Sequence, residues 1–189
     1  MRKTALLFIA LLSPAMAFAS EWNLDHLMQS LAAIRSDHAG FVEKKFIAML
    51  EKPVESSGEL YYTAPDHLEK RTLKPKPESL TVDGDTLVIE RNHQTHHLQL
   101  QSYPEIAAFI DSIRGTLAGD RRALERNYHI ALSGNSEHWT LQLLPLSDIM
   151  QKVAKQIRIS GEQNSLLSIE IIQADGDSSV MSIARLATP

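Results

Sequence analysis

The sequence predicts an α+β, mainly β fold: one large, curled antiparallel sheet with amphipathic helices laid across its apolar face. Three observations predict it. Roughly ten or eleven short runs alternate apolar with polar residues, as strands with one buried face do. Gly, Pro and Asp turn signals separate most of these runs. Two longer segments, one near the start and one in the middle, repeat apolar residues at the helical period instead. A sheet that wide twists and curls, and its apolar concave side needs a cover.

The chain begins with a secretory signal. Arg2-Lys3 supplies a positive start, Ala5 to Leu12 an apolar run, and Ala17-Phe18-Ala19 a small-x-small cleavage site before Ser20. The apolar run is well short of the roughly 20 residues a spanning helix needs, and Pro14 interrupts it, so a membrane anchor is disfavoured. Cleavage after residue 19 removes two basic groups, leaving 17 Lys+Arg against 23 Asp+Glu and a formal charge of −6. An acidic chain is a poor partner for nucleic acid, whose binding rests on neutralising phosphates. The sequence contains no cysteine, so no disulfide is needed in an oxidising compartment and no lipid can be attached through a cysteine. Residues 20–189 then read as one exported domain, without a linker, repeat or low-complexity segment to divide it.

Within that domain, Trp22 to Arg35 carries Leu24, Leu27, Met28, Leu31 and Ile34 as a helical stripe. Ala39 to Leu50 reads as a long first strand. Ser56 to Glu90 is the organising stretch, a meander of strands at Glu59–Thr63, His67–Leu73, Leu80–Val82 and Leu87–Glu90. Ala64-Pro65-Asp66, Pro75 with Pro77, and Asp83-Gly84-Asp85 separate those strands. Thr95 to Gln101 is a half-buried strand with Leu98 and Leu100 on one face. Tyr103 to Arg114 returns to the helical period through Ile106, Phe109, Ile110 and Ile113, with Pro104 in the first turn and Gly115 as the expected stop.

A short helical turn is expected in Leu117–Arg126, and another in Pro145–Lys152. The remaining strands are marked by Tyr128, Ile130 and Leu132; Trp139, Leu141 and Leu143; Ile157 and Ile159; Leu167, Ile169 and Ile171; Met181 and Ile183. Gly134-Asn135, Gly161 and Asp175-Gly176-Asp177 are the expected turns between them.

Chemistry-bearing constellations are sparse. His93, His96 and His97 form HQTHH, but His96 and His97 point to opposite faces of a strand, which favours an exposed hairpin over a converging metal site. There is no Gly-x-Ser-x-Gly elbow, and the Asp pairs 83/85 and 175/177 each flank a glycine, where Asp serves turn geometry. No enzymatic activity, metal or cofactor is expected. The basic run Lys70, Arg71, Lys74 and Lys76 stands out on an acidic protein as a candidate docking face for anionic head groups or an acidic partner. Period-two spacing puts Leu60, Tyr62, Leu80, Val82, Leu98, Leu100, Trp139, Leu141 and Ile169 on one apolar concave surface. These patterns do not decide whether that surface is packed solid or encloses a cavity, in which case Ile106, Phe109, Ile110 and Ile113 would line a lid.

The order of the amphipathic helix, Phe41-Val42-Glu43-Lys44-Lys45, Gly58-Glu59-Leu60-Tyr61-Tyr62, Pro65 and Val82-Asp83-Gly84-Asp85-Thr86-Leu87 resembles the LolA-type outer-membrane lipoprotein carriers. Leu68-Glu69-Lys70-Arg71-Thr72, Ser112 through Asp120 (SIRGTLAGD) and Ala174 through Asp177 (ADGD) resemble more closely a LolA-related branch, so the resemblance spans almost the whole mature chain.

It implies a LolA/LolB-like incomplete antiparallel β-barrel, its mouth closed by a helical lid, that holds acyl chains in an apolar cavity in the periplasm. The implied function is a monomeric periplasmic carrier, or chaperone, for lipid, lipid-linked or lipoprotein cargo. It would move cargo from an inner-membrane transporter to an outer-membrane acceptor, with transient membrane contact. The nearest alternative is a non-enzymatic accessory subunit of an aryl-polyene or glycolipid exporter. One position departs from the pattern: the carriers have an arginine before the proline matched by Pro65, which helps hold the lid closed, and here that residue is Ala64.

Overall fold

The computed structural model describes residues 22–186; the signal peptide expected over residues 1–19 lies outside them. Helix α1 (Leu24–Ala32) starts where the Asn23 side chain accepts from the His26 amide. It buries Leu27, Met28 and Leu31, the stripe read from the sequence. Six strands follow as a meander: β1 (Ser36–Phe46), β2 (Val54–Thr63), β3 (His67–Lys74), β4 (Glu78–Asp83), β5 (Thr86–Arg91) and β6 (Gln94–Gln99). After a single 3-10 turn, α2 (Pro104–Leu117) and the short α3 (Arg121–Glu125) lead to β7 (Tyr128–Gly134) and β8 (Trp139–Pro145). The chain ends with α4 (Asp148–Gln151), β9 (Ala154–Glu162), β10 (Ser165–Gln173) and β11 (Ser178–Arg185).

All eleven strands join one antiparallel sheet in the order β6-β5-β4-β3-β2-β1-β11-β10-β9-β8-β7. The first and last strands pair with each other at its middle, from Ala39 opposite Arg185 to Phe46 opposite Ser178. Two meanders, β1–β6 and β7–β11, are thereby zipped together, while β6 and β7 stay at the open edges. The sheet is curled but not closed, an incomplete barrel. α2 belongs to both sides: Ala108 lies in the core cluster with β7–β10, and Ile110 in the cluster with Val82, Leu87 and Leu100.

Two glycines expected as stops have packing roles instead. α2 runs through Gly115 to Leu117; a Cβ on Gly115 would lie 3.0 Å from Leu124 Cδ2, so its bare face admits α3. Gly161 lies inside β9, not in a turn, because a Cβ there would sit 2.3 Å from the Trp139 ring. The turn falls at Gln163, whose φ is +50°. β1 starts at Ser36 and ends at Phe46, four residues short of the expected Leu50, and β2 starts earlier, at Val54.

Candidate functional site

The two meanders are not packed alike. Under β7–β10, Leu27 and Leu31 of α1, Leu124 of α3, and Leu141, Leu143, Ile157 and Ile159 of the sheet are each at most 1% exposed, a filled core. Between α2 and the middle of the sheet, from β5 through β1 to β11 and β10, lies a cavity of about 410 Å³, within the usual range for small-molecule sites. Its wall is the inward row of each strand: Ala39, Leu60, Tyr62, Leu68, Leu80 and Val82 on one side, Ile169, Ile171, Met181 and Ile183 on the other. Ile106, Phe109, Ile110, Ile113 and Leu117 of α2 form its roof. The strand alternation that buries one face of a meander is thus what lines the hollow.

Nine of the thirteen residues singled out as cavity or lid line this space: Leu60, Tyr62, Leu80, Val82, Ile106, Phe109, Ile110, Ile113 and Ile169. The other four do not. Trp139 and Leu141 share the inward orientation but lie under the filled half, at 1% and 0% exposure. Leu98 and Leu100 pack beside Leu87 and Ile110 in a second, smaller cluster that borders the cavity, without lining it themselves; Leu100 is not in β6 but in the 3-10 turn after it.

α2 is tied down at its outer end. Arg114 Nη1 donates to the Gly84 carbonyl in the β4–β5 turn at 2.5 Å, and Arg114 also pairs with Asp111 one turn back. Ala64, where the resemblance expected an arginine, contributes only its backbone, its amide donating to the Arg35 carbonyl at 2.8 Å. The arginine contact between helix and sheet at this end is made by Arg114 of α2.

The polar groups on the cavity wall fall near opposite ends of β1. Close to its start, Tyr62 is buried, faces the cavity, and its hydroxyl has no hydrogen-bond partner among the described residues; desolvation holds its pKa above the ordinary value. Near its end, Glu43 is only 5% exposed and is ion-paired with Lys70. Lys45 lies 3.8 Å from the same carboxylate, and the Ser56 hydroxyl donates to it at 3.4 Å. The Lys70 ammonium also sits 4.9 Å from the Phe41 ring centre.

Lys70, Arg71, Lys74 and Lys76 do not make one docking face, because adjacent strand residues point to opposite sides. Lys70 faces the cavity. Arg71 lies on the convex side, bonded to Glu69 and stacked 5.1 Å from the Tyr61 ring, beside His38. Lys74 and Lys76 are exposed at the end of β3 and in the turn that follows. His93 occupies a tight β5–β6 turn with Asn92, both at positive φ, and His93, His96 and His97 are all exposed. Among the described residues no group of His, Cys, Asp or Glu could hold a metal ion, and no helix is long and apolar enough to cross a membrane.

A family model described as outer membrane lipoprotein carrier protein LolA-like matches residues 14–188. No curated protein matches the chain. Among solved structures, a LolA superfamily protein from Nitrosomonas europaea shares 12% identity at a TM-score of 0.46, over 86% of this chain and 93% of that one. The Mycobacterium tuberculosis lipoprotein LppX shares 8% at 0.46, over 88% and 95%. The MucA/MucB complex of Pseudomonas aeruginosa shares 12% at 0.45, covering 86% of this chain but 56% of that one.

Proposed function

From the premise that the chain belongs to the LolA-like family of outer membrane lipoprotein carriers, we propose that it is a periplasmic, non-enzymatic carrier. It takes up the acyl chains of lipid, lipid-linked or lipoprotein cargo between the curled sheet and α2, and hands that cargo from an inner-membrane donor to an outer-membrane acceptor. The observation that carries this reading is the apolar cavity of about 410 Å³ roofed by one helix. Apolar surface facing empty space forfeits the contacts a packed core would make, and an acyl chain restores them while leaving water. α2 is the element that must move to admit cargo. Its cavity-facing residues are shared between the two core clusters, Ile106 and Ile110 on the side of Val82, Leu87 and Leu100 and Ile113 on the side of the filled core, so it bridges both while roofing the space between them.

A carrier without energy input passes cargo only toward tighter binding, so its own grip is moderate and its lid opens readily. Native mass spectrometry of protein purified from the periplasm, followed by lipid extraction, tests the reading. A co-purifying acylated species is expected, and Phe109→Asp, which puts a charge in the roof, is expected to lose it while still folding. Protein that is lipid-free in both forms, and that takes up no acyl probe, would contradict it.

A further inference from the structure

The cavity is apolar along most of its length; of the acidic groups on its lining, Asp37 at one end is paired with Arg185 and Glu69 with Arg71, and at the other end a carboxylate is met by two ammonium groups. Glu43 carries its carboxylate in the wall at 5% exposure, and Lys70 and Lys45 both approach it. Two ammonium groups around one carboxylate leave one positive charge unbalanced beside the hollow. Lys70 is held among apolar neighbours, with Leu60 and Leu80 as its cross-strand partners and the Phe41 ring beneath it. An ion pair in such a wall is a weak device for stability, since apolar residues of similar size usually do as well there. Its value lies in an ammonium kept partly dry and oriented at the edge of an acyl-sized space, where a second anion is attracted more strongly than in water.

We propose that Lys70, steadied by Glu43 and assisted by Lys45, is an anchor for the anionic head of an amphiphile whose acyl chain fills the cavity. The head is a carboxylate or a phosphate monoester. This rests on the carrier reading above and narrows it from acyl cargo in general to acidic, charged-headed cargo. The chain would run from the Lys70 end toward Tyr62. Asp37 and Glu43 on β1's inward row are about 20 Å apart at roughly 3.3 Å per residue, with Lys45 one step further on.

Calorimetric titration with palmitate, its methyl ester and 1-palmitoyl lysophosphatidate, each below its aggregation threshold, tests the anchor separately from the cavity. Wild-type protein is expected to bind at least one of the two acids about tenfold more tightly than the ester. Lys70→Met should bring acid and ester to similar affinity without weakening the ester, and Glu43→Gln, which leaves Lys70 unpaired, should widen the gap. The double change Lys70→Met with Glu43→Gln removes the pair without stranding a charge. It guards against misfolding of the single variant and should also erase the preference. Preference for palmitate alone or lysophosphatidate alone identifies the head, and either supports the anchor. Equal affinity for acids and ester in wild type, or a preference that survives both Lys70 variants, overturns the anchor and leaves the carrier reading standing. Failure of all three ligands to bind sinks the carrier reading itself.

Discussion

Leu141 in β8 and Leu60 in β2 hold equivalent places, inward residues of an antiparallel meander, and their surroundings differ completely. Leu141 is 0% exposed beneath α1 and α3, while Leu60 lines open space beneath α2. The sheet is continuous from one to the other. The difference comes from the cover: α1 and α3 press into the β7–β10 half, α3 against bare backbone at Gly115 and α1 against bare backbone at Gly119, whereas α2 alone roofs the cavity on the β1–β4 side.

Truncating the two leucines gives the sharpest contrast. Leu141→Ala is expected to cost about 2–5 kcal/mol in urea denaturation, the range for a sealed core leucine that leaves a void. Leu60→Ala should cost less than about 1 kcal/mol, since its side chain already borders a void. Comparable losses at both sites would mean that the β1–β4 half is packed as tightly as the other.

The next effect is at the roof. Arg114→Ala removes the charged donor to the Gly84 carbonyl, an interaction worth about 1.5–3 kcal/mol at most in protein mutants. Amides of α2 are expected to exchange faster with solvent, with β8 and β9 unchanged. Uniform acceleration across both halves would show that Arg114 supports the whole fold and not the lid.

Two tyrosines repeat the comparison on a smaller scale. Tyr128, in the filled half, donates its hydroxyl to the Ala108 carbonyl at 3.0 Å, and burial pushes its pKa up to about 12 from 10. Because the folded state holds that proton more tightly, this contribution to stability is complete below pH 10. It is lost as pH rises from there through about 12, while the unfolded chain ionises first. Tyr128→Phe should flatten the melting temperature over that alkaline window. Tyr62→Phe removes a buried hydroxyl that has no partner among the described residues, so it should leave stability at neutral pH unchanged or slightly raised. A clear loss from Tyr62→Phe, measured without ligand, would reveal a partner in the fold.

Much of this architecture was readable in the sequence, because period two in Leu60, Tyr62, Leu80 and Val82, and the helical stripe through Ile106 and Ile113, are local consequences of backbone geometry. The same locality explains the misses. Trp139 and Leu141 alternate just as Leu60 and Tyr62 do, and only the distant helices decide which pair is sealed. Gly115 and Gly161 look like stops until the side chains that need their room, Leu124 and Trp139, are brought next to them. The split between Lys70 and Arg71 was legible: adjacent strand positions face opposite ways, so a basic run inside β3 divides between cavity and surface. The pairing of Lys70 with Glu43 was not, since it depends on how β1 lies against the β2–β3 hairpin.

Carrier function requires the hollow beneath α2, and filling that hollow tests it directly. Leu60→Trp adds bulk where the wall borders open space, so it should abolish saturable binding of an environment-sensitive fluorescent fatty acid without lowering the melting temperature appreciably. Binding that persists unchanged in Leu60→Trp, or a variant that unfolds as an overpacked core would, contradicts the account.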